Sequence, residues 1–239
     1  MGTKCIKHQS LELSWNELIK VENPKTLVLG SFNPFENSNK IVDYYYGRES
    51  NHFWRSIAII QGLDELHYFD KNKGIGRKIE TMNNSFICFD VIDSINVSCQ
   101  DIKELNKYIE CNIFNNFLDS KIWTSKTKSC KEETVNLKRN YNQNLIEFLT
   151  KNNSINKIIH TMGVNRLSLQ NINPKEKQLG KNGFEGFMNQ ILDICRVKNI
   201  EFIFDSLSPS DYAIKSGKVN RSQLQYFLKS NIPFPETKF

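Results

Sequence analysis

Two short polar segments and one carboxylate draw attention because each follows an apolar run. They are Gly30-Ser31-Phe32-Asn33-Pro34-Phe35, Asp205-Ser206-Leu207-Ser208-Pro209-Ser210, and Asp90. The Asn33 amide can orient a partner such as water whatever the pH, whereas an ionised Asp90 accepts hydrogen bonds and donates none. Between them, Tyr44-Tyr45-Tyr46 offers ring faces for a planar group. Such a set supports chemistry by placement and hydrogen bonding rather than by a strong base.

The elements that must carry these residues are legible as apolar runs separated by helical patterns. Residues 26–30 (TLVLG), 85–91 (SFICFDV), 155–161 (INKIIHT) and 200–205 (IEFIFD) are short enough for buried strands. Helical patterns cover 51–61, closed by Gly62, and then 101–109, 141–151, 184–198 and 222–229. Strands alternating with helices imply crossover connections, so the expected class is α/β: a three-layer α/β/α sandwich around a central, mainly parallel four-stranded sheet. Ligands of open parallel sheets sit outside the carboxyl ends of the strands, which directs attention to 31–35, Asp90 onward, 160–163 and 206–210.

Composition narrows the function classes without choosing one. The 239 residues carry 32 Lys+Arg and 26 Asp+Glu, a net charge of +6, with 39% hydrophobic residues, which excludes disorder and collagen. No apolar run reaches membrane-spanning length and the first twenty residues lack a signal-like apolar core, so the chain reads as cytoplasmic. The six cysteines, Cys5, Cys88, Cys99, Cys111, Cys130 and Cys195, include no C-x-x-C pair, so neither a metal nor a cofactor is expected. The modest basic excess is compatible with an anionic partner and equally with none.

Taken in order, the motifs resemble those of the uracil-DNA glycosylase superfamily, nearest to its mismatch-specific and hypoxanthine-type branches. Asn33-Pro34 follows the first strand, Tyr46 stands five residues before Asn51 in Asn51-His52-Phe53-Trp54, and Ser208-Pro209-Ser210 follows the last strand. Phe89-Asp90-Val91 adds to the likeness, which runs over roughly residues 26 to 215 of a single domain, 1–239.

The resemblance implies a monofunctional, monomeric enzyme of DNA base-excision repair. It would hydrolyse the N-glycosidic bond of a flipped-out deaminated or mismatched base. Asn33 would position water, with Asn51 a second catalytic candidate; Phe35, Tyr46 and Asp90 would bind the base. Ser206, Ser208, Pro209, Ser210, Tyr212 and Lys215 would hold DNA, with Tyr212 or Ile214 as a wedge. The Asp90 carboxylate, in place of an Asn, argues against uracil and toward a deaminated purine such as hypoxanthine. Ser208 stands where the superfamily carries His or Asn and cannot hold charge.

Each residue also has a plainer role. Asn33-Pro34 suits a turn, Asn51 suits a helix N-cap, Asp90 suits a cap or a pairing with Lys, and His160 suits a structural hydrogen bond. Tyr44 and Tyr45 could pack on the sheet or line an entrance, while Phe53 and Trp54 read as core anchors. Residues 121–139, with six Lys/Arg against two Glu, suit a solvated loop or a phosphate-contacting flap. The Lys215, Lys218 and Arg221 group could track phosphates too. Two alternatives stay open: an inactive nucleic-acid-binding module on the same scaffold, and an α/β enzyme of free nucleotides.

Overall fold

The computed structural model describes residues 1–35, 42–110, 113–162 and 183–235. Residues 36–41, 111–112 and 163–182, within the span of the resemblance, lie outside the described residues. Among the described residues the strands are, in chain order, β1 Gly2–Lys7, β2 Thr26–Gly30, β3 Phe86–Asp90, β4 Ile92–Cys99, β5 Lys126–Lys128, β6 Thr134–Tyr141, β7 Lys157–His160 and β8 Glu201–Ser206. They form two four-stranded sheets, β3-β2-β7-β8 and β1-β4-β6-β5. The chain correspondingly divides into two compact units.

The unit that contains the parallel sheet is built from Glu17–Gly30, the segment ending at Phe89, and the segment from Asn144 onward. β2 pairs with β7 and β7 with β8, both parallel, with Leu29 opposite His160. Every residue of β2 and β3 is buried, which is why these runs are apolar throughout instead of alternating. Helices His52–Ile60 and Gly74–Met82 lie in sequence between β2 and β3, and Phe184–Lys198 between β7 and β8. Tyr44, Phe53, Trp54, Phe86, Ile158 and Ile159 are sealed in the core of this unit. All four expected strands and all five expected helices exist, with ends shifted by a residue or two.

The other unit, built from Met1–Asn16, the segment beginning at Ser31 and Asp90–Gln143, departs from the expected single sheet. β1, β4, β6 and β5 pair antiparallel, and β5 and most of β6 fall within the stretch 121–139 that reads as a solvated loop or a flap in the sequence. One face alternates Ile95, Val97, Cys99, Val135 and Leu137 into the interior. Helix Ile102–Glu110 packs on β1 and β4 and buries Leu105, Tyr108 and Ile109. Burial contributes roughly 2 kcal/mol per large apolar side chain, against about 0.5 kcal/mol for an exposed ion pair, so packing on this helix holds the unit together. The same burial pushes the Tyr108 hydroxyl up to about 12.

Candidate functional site

In the sheet β3-β2-β7-β8 the order reverses at β2, so the carboxyl ends of β2 and β7 flank the switch point where open α/β sheets bind ligands. Tyr46 is tied to it. Its hydroxyl lies 2.8 Å from Thr161 Oγ1, and the Thr161 N–H donates to the Leu29 carbonyl at 2.9 Å. The Tyr46 ring stacks on Phe53 with centroids 4.4 Å apart and planes 28° from parallel. Its φ of 58° is left-handed, a conformation that costs a tyrosine about 1–2 kcal/mol and persists only where surroundings hold it. A Cβ at Gly47 would meet the Tyr44 carbonyl oxygen at 2.7 Å, so the turn that aims Tyr46 needs glycine after it. Tyr44 and Tyr45 pack inside, and the Trp54 indole donates to the Tyr45 carbonyl at 2.8 Å.

Asn51 is the N-cap of helix His52–Ile60, its Oδ1 accepting the Phe53 N–H at 2.9 Å. Because the donor is a backbone N–H, the bond defines which end of the amide is oxygen. The His52 N–H donates to the Pro209 carbonyl at 2.8 Å, bringing the two motif segments into direct contact. His52 Nε2 also lies 3.5 Å from Asp211 Oδ1. Burial, then the nearby Arg221, holds the His52 imidazole below its ordinary range. The Ser208 hydroxyl donates to Ser210 Oγ at 3.1 Å, and Ser210 caps the helix Asp211–Lys215 through the Ala213 N–H.

The remaining residues expected to hold DNA divide by exposure. Ser206 is buried and its hydroxyl donates to the His160 carbonyl at 2.8 Å, a bond internal to the sheet. Tyr212 is 69% exposed. Lys215 pairs with Asp211 at 2.7 Å, Lys218 sits 4.9 Å above the Tyr212 ring, and Arg221 lies 3.6 Å from Glu65. These three cations are each engaged with a neighbour. His160 is fully buried, with Nε2 donating to the Phe204 carbonyl at 2.9 Å, the structural role open to it in the sequence.

Asn33, Phe35 and Asp90 belong to the unit with the antiparallel sheet, and there they gather around His8. The Asn33 amide donates to Gln9 Oε1 at 2.7 Å, the Gln9 N–H donates to the Asn33 carbonyl at 2.7 Å, and the Phe35 N–H reaches the Lys7 carbonyl at 3.2 Å. Asp90 pairs with a histidine, not with a lysine: Oδ2 lies 2.5 Å from His8 Nε2. The Ser10 N–H donates to His8 Nδ1 at 2.9 Å, so Nδ1 is the acceptor and Nε2 carries the proton toward Asp90. Ser10, His8 and Asp90 thus stand in the order of a nucleophilic triad, with Ser10 Oγ 2.7 Å from Nδ1. Yet the Nδ1 lone pair already caps the helix Gln9–Glu12, which gives His8 a holding role and not that of a base for Ser10. Nearby, burial raises the Asp93 carboxyl above its usual range.

His8 and Gln9 escape the sequence reading because neither lies in a motif, and His52, inside Asn51-His52-Phe53-Trp54, carries no assigned role there; an isolated histidine before an N-terminal polar stretch is the faint signal that His8 offers. Of the cations in 121–139, Arg139 does not face solvent: it is buried and donates to the carbonyls of Ile122 at 2.7 Å and Thr124 at 3.2 Å, whereas Lys126, Lys128 and Lys138 are exposed. Among the described residues no cluster of His, Cys, Asp and Glu could hold a metal ion, and no helix is long and apolar enough to cross a membrane. No protein-family model, curated protein or solved structure matches the chain.

Proposed function

We propose that the protein is a monofunctional DNA N-glycosylase of the uracil-DNA glycosylase type, acting on a deaminated or mismatched base of hypoxanthine or uracil kind. The observation that carries the reading is the hydrogen bond from the His52 N–H to the Pro209 carbonyl. It joins the Tyr46-to-Trp54 segment to Ser208-Pro209-Ser210 in the unit whose parallel sheet has its switch point at Tyr46. The three-layer arrangement around that sheet, a single domain over 1–239 and a monomeric state belong to the same proposal.

In this reaction the bond from the sugar C1′ to the base nitrogen breaks, the base leaves with the bonding electron pair, and water oxygen adds to C1′ while its proton departs. Asn33, held by Gln9, orients the water, with Asn51 the second candidate for that task. Tyr46 stacks the extruded base, and Phe35 and Asp90 shape and read it. Ser208, Pro209, Ser210, Tyr212 and Lys215 hold the strand, and Ser206 fixes the start of that segment through its bond to the His160 carbonyl. An amide is a weaker base than a carboxylate, so turnover is slow and placement carries the rate. The test is incubation with duplexes holding hypoxanthine, uracil, xanthine or a T:G mismatch, followed by alkali. Strand breaks are expected for at least one lesion and their absence for all of them refutes the reading; an Asn33→Ala variant of full activity refutes that residue's role.

A second reading, an inactive DNA-binding module, is favoured by one observation: the Asp90 carboxylate is already engaged by His8. It predicts salt-dependent binding to lesion DNA without base release.

A further inference from the structure

The sheet β1-β4-β6-β5 has a second face that the proposed reaction does not use. The pairing register places side by side Thr3, Ser98, Asn136 and Lys126; Cys5, Asn96 and Lys138; Lys7, Ser94 and Asn140; and Thr134 with Lys128. Side chains alternate across a strand, so these twelve residues share the side opposite Ile95, Val97, Val135 and Leu137. Four are lysines, eight are neutral polar residues or cysteine, and none is Asp, Glu or aromatic. Lys126 and Lys138 are exposed and meet no carboxylate within ion-pair distance among the described residues. Lys7 and Lys128 reach Glu12 and Glu132 only across 3.5 and 3.9 Å, with all four side chains solvated, which leaves their charge available.

We infer that this face is a second DNA contact, one that takes the phosphate backbone of an undamaged duplex independently of sequence. Charge complementarity carries the choice of a polyanion: lysines attract phosphates, and the amides and hydroxyls of Asn96, Asn136, Ser98 and Thr134 supply donors between them. The lack of aromatic side chains decides between duplex and single strand, because single-strand platforms stack bases on rings whereas a duplex presents its phosphates outward. The inference rests on the glycosylase reading for DNA as the polyanion. Such a contact would hold the enzyme on normal DNA while it searches for rare lesions. It adds the sheet to the basic footprint of Lys215, Lys218 and Arg221, whose ion pairs and ring contact are solvated in the same way.

The test is fluorescence anisotropy of the full chain with an undamaged 20-base-pair duplex across a salt series. Lys126→Glu/Lys138→Glu is compared with wild type, with Lys126→Gln/Lys138→Gln as the variant that keeps the fold if charge reversal disturbs it. The double glutamate variant is expected to lose at least about tenfold in affinity at low salt, and the glutamine pair to reduce the logarithmic salt slope by about 2. Duplex is further expected to slow alkylation of Cys5, which is exposed on the same face. Unchanged affinity and slope in both variants overturn the inference. So does a loss seen only with single strands or with phosphatidylserine vesicles. Because undamaged DNA is the probe, a failure of base release in the alkali assay leaves this outcome separately readable.

Discussion

His8 Nε2 lies 2.5 Å from Asp90 Oδ2, joining residues 82 positions apart with side chains only 2% and 8% exposed. The same imidazole caps the helix Gln9–Glu12, and Gln9 in turn holds the Asn33 amide. Removing one member of a buried polar pair leaves the other unsatisfied, the more costly half of hydrogen-bond energetics. His8→Ala is therefore expected to destabilise the protein by about 3 kcal/mol in urea titration, against less than about 0.5 kcal/mol for Lys4→Ala at an exposed pair. Equal midpoints for the two variants would remove His8 from this role.

Asn51 serves both accounts of its segment, and one substitution separates them. Serine caps helices as well as asparagine does but has no amide. Asn51→Ala is expected to cost about 1 kcal/mol, and Asn51→Ser to stay within about 0.5 kcal/mol of wild type. If the amide acts on the reacting water, base release falls by at least about tenfold in both variants. Wild-type turnover in Asn51→Ser would leave Asn51 as a cap alone.

Lys78 is 1% exposed, hydrogen-bonded to Asp43, and stacked over Trp54 and Phe69 at 5.6 and 5.5 Å. Burial pulls its ammonium below the usual lysine range, opposed by the Asp43 charge. Asp43→Ala strands that ammonium and is expected to cost about 3 kcal/mol, whereas Lys78→Met, which packs the same stem, is expected to change stability by less than about 1 kcal/mol. Thermal melts of the two variants decide; a larger loss from Lys78→Met would contradict the desolvation argument.

Stability should fall on mild acidification. Burial lowers the His160 imidazole from its ordinary 6.5, partly offset by the Phe204 carbonyl and by Asp205, and burial lowers His52 in the same direction. Below pH 6.5 the unfolded chain takes up protons that the folded one resists, so the stability present above 6.5 is lost as pH descends toward the folded value. Urea midpoints measured from pH 7.5 to 5 should decline, and more shallowly in His160→Asn. Identical slopes in the variant and wild type would exclude His160 as a source.

How much could be read in advance follows from periodicity. β2 and β3 are buried on both faces, so their continuous apolar runs are visible without any partner, and Gly62 ends the pattern at 51–61 as a stop signal should. The antiparallel sheet was written more faintly. In β6 only Val135 and Leu137 mark the interior, the third inward position is Arg139, and Thr134, Asn136, Lys138 and Asn140 fill the other face. Such a strand looks like a solvated loop until its neighbours supply the hydrogen-bonded ladder and the helix Ile102–Glu110 covers its apolar side.

The chain's own pattern determines which segments are strands or helices, and which short motifs stand at strand ends, because burial and local conformation select residue types position by position. Tertiary structure alone decides that Asp90 meets His8, that the His52 N–H finds the Pro209 carbonyl, and that Arg139 turns inward while Lys126 and Lys138 face out. Contacts between residues far apart in sequence leave no local period, since each depends on strand order and register as well as on residue type. The net charge of +6 is one case: its sign is a count, but where the charge stands is a property of the sheet.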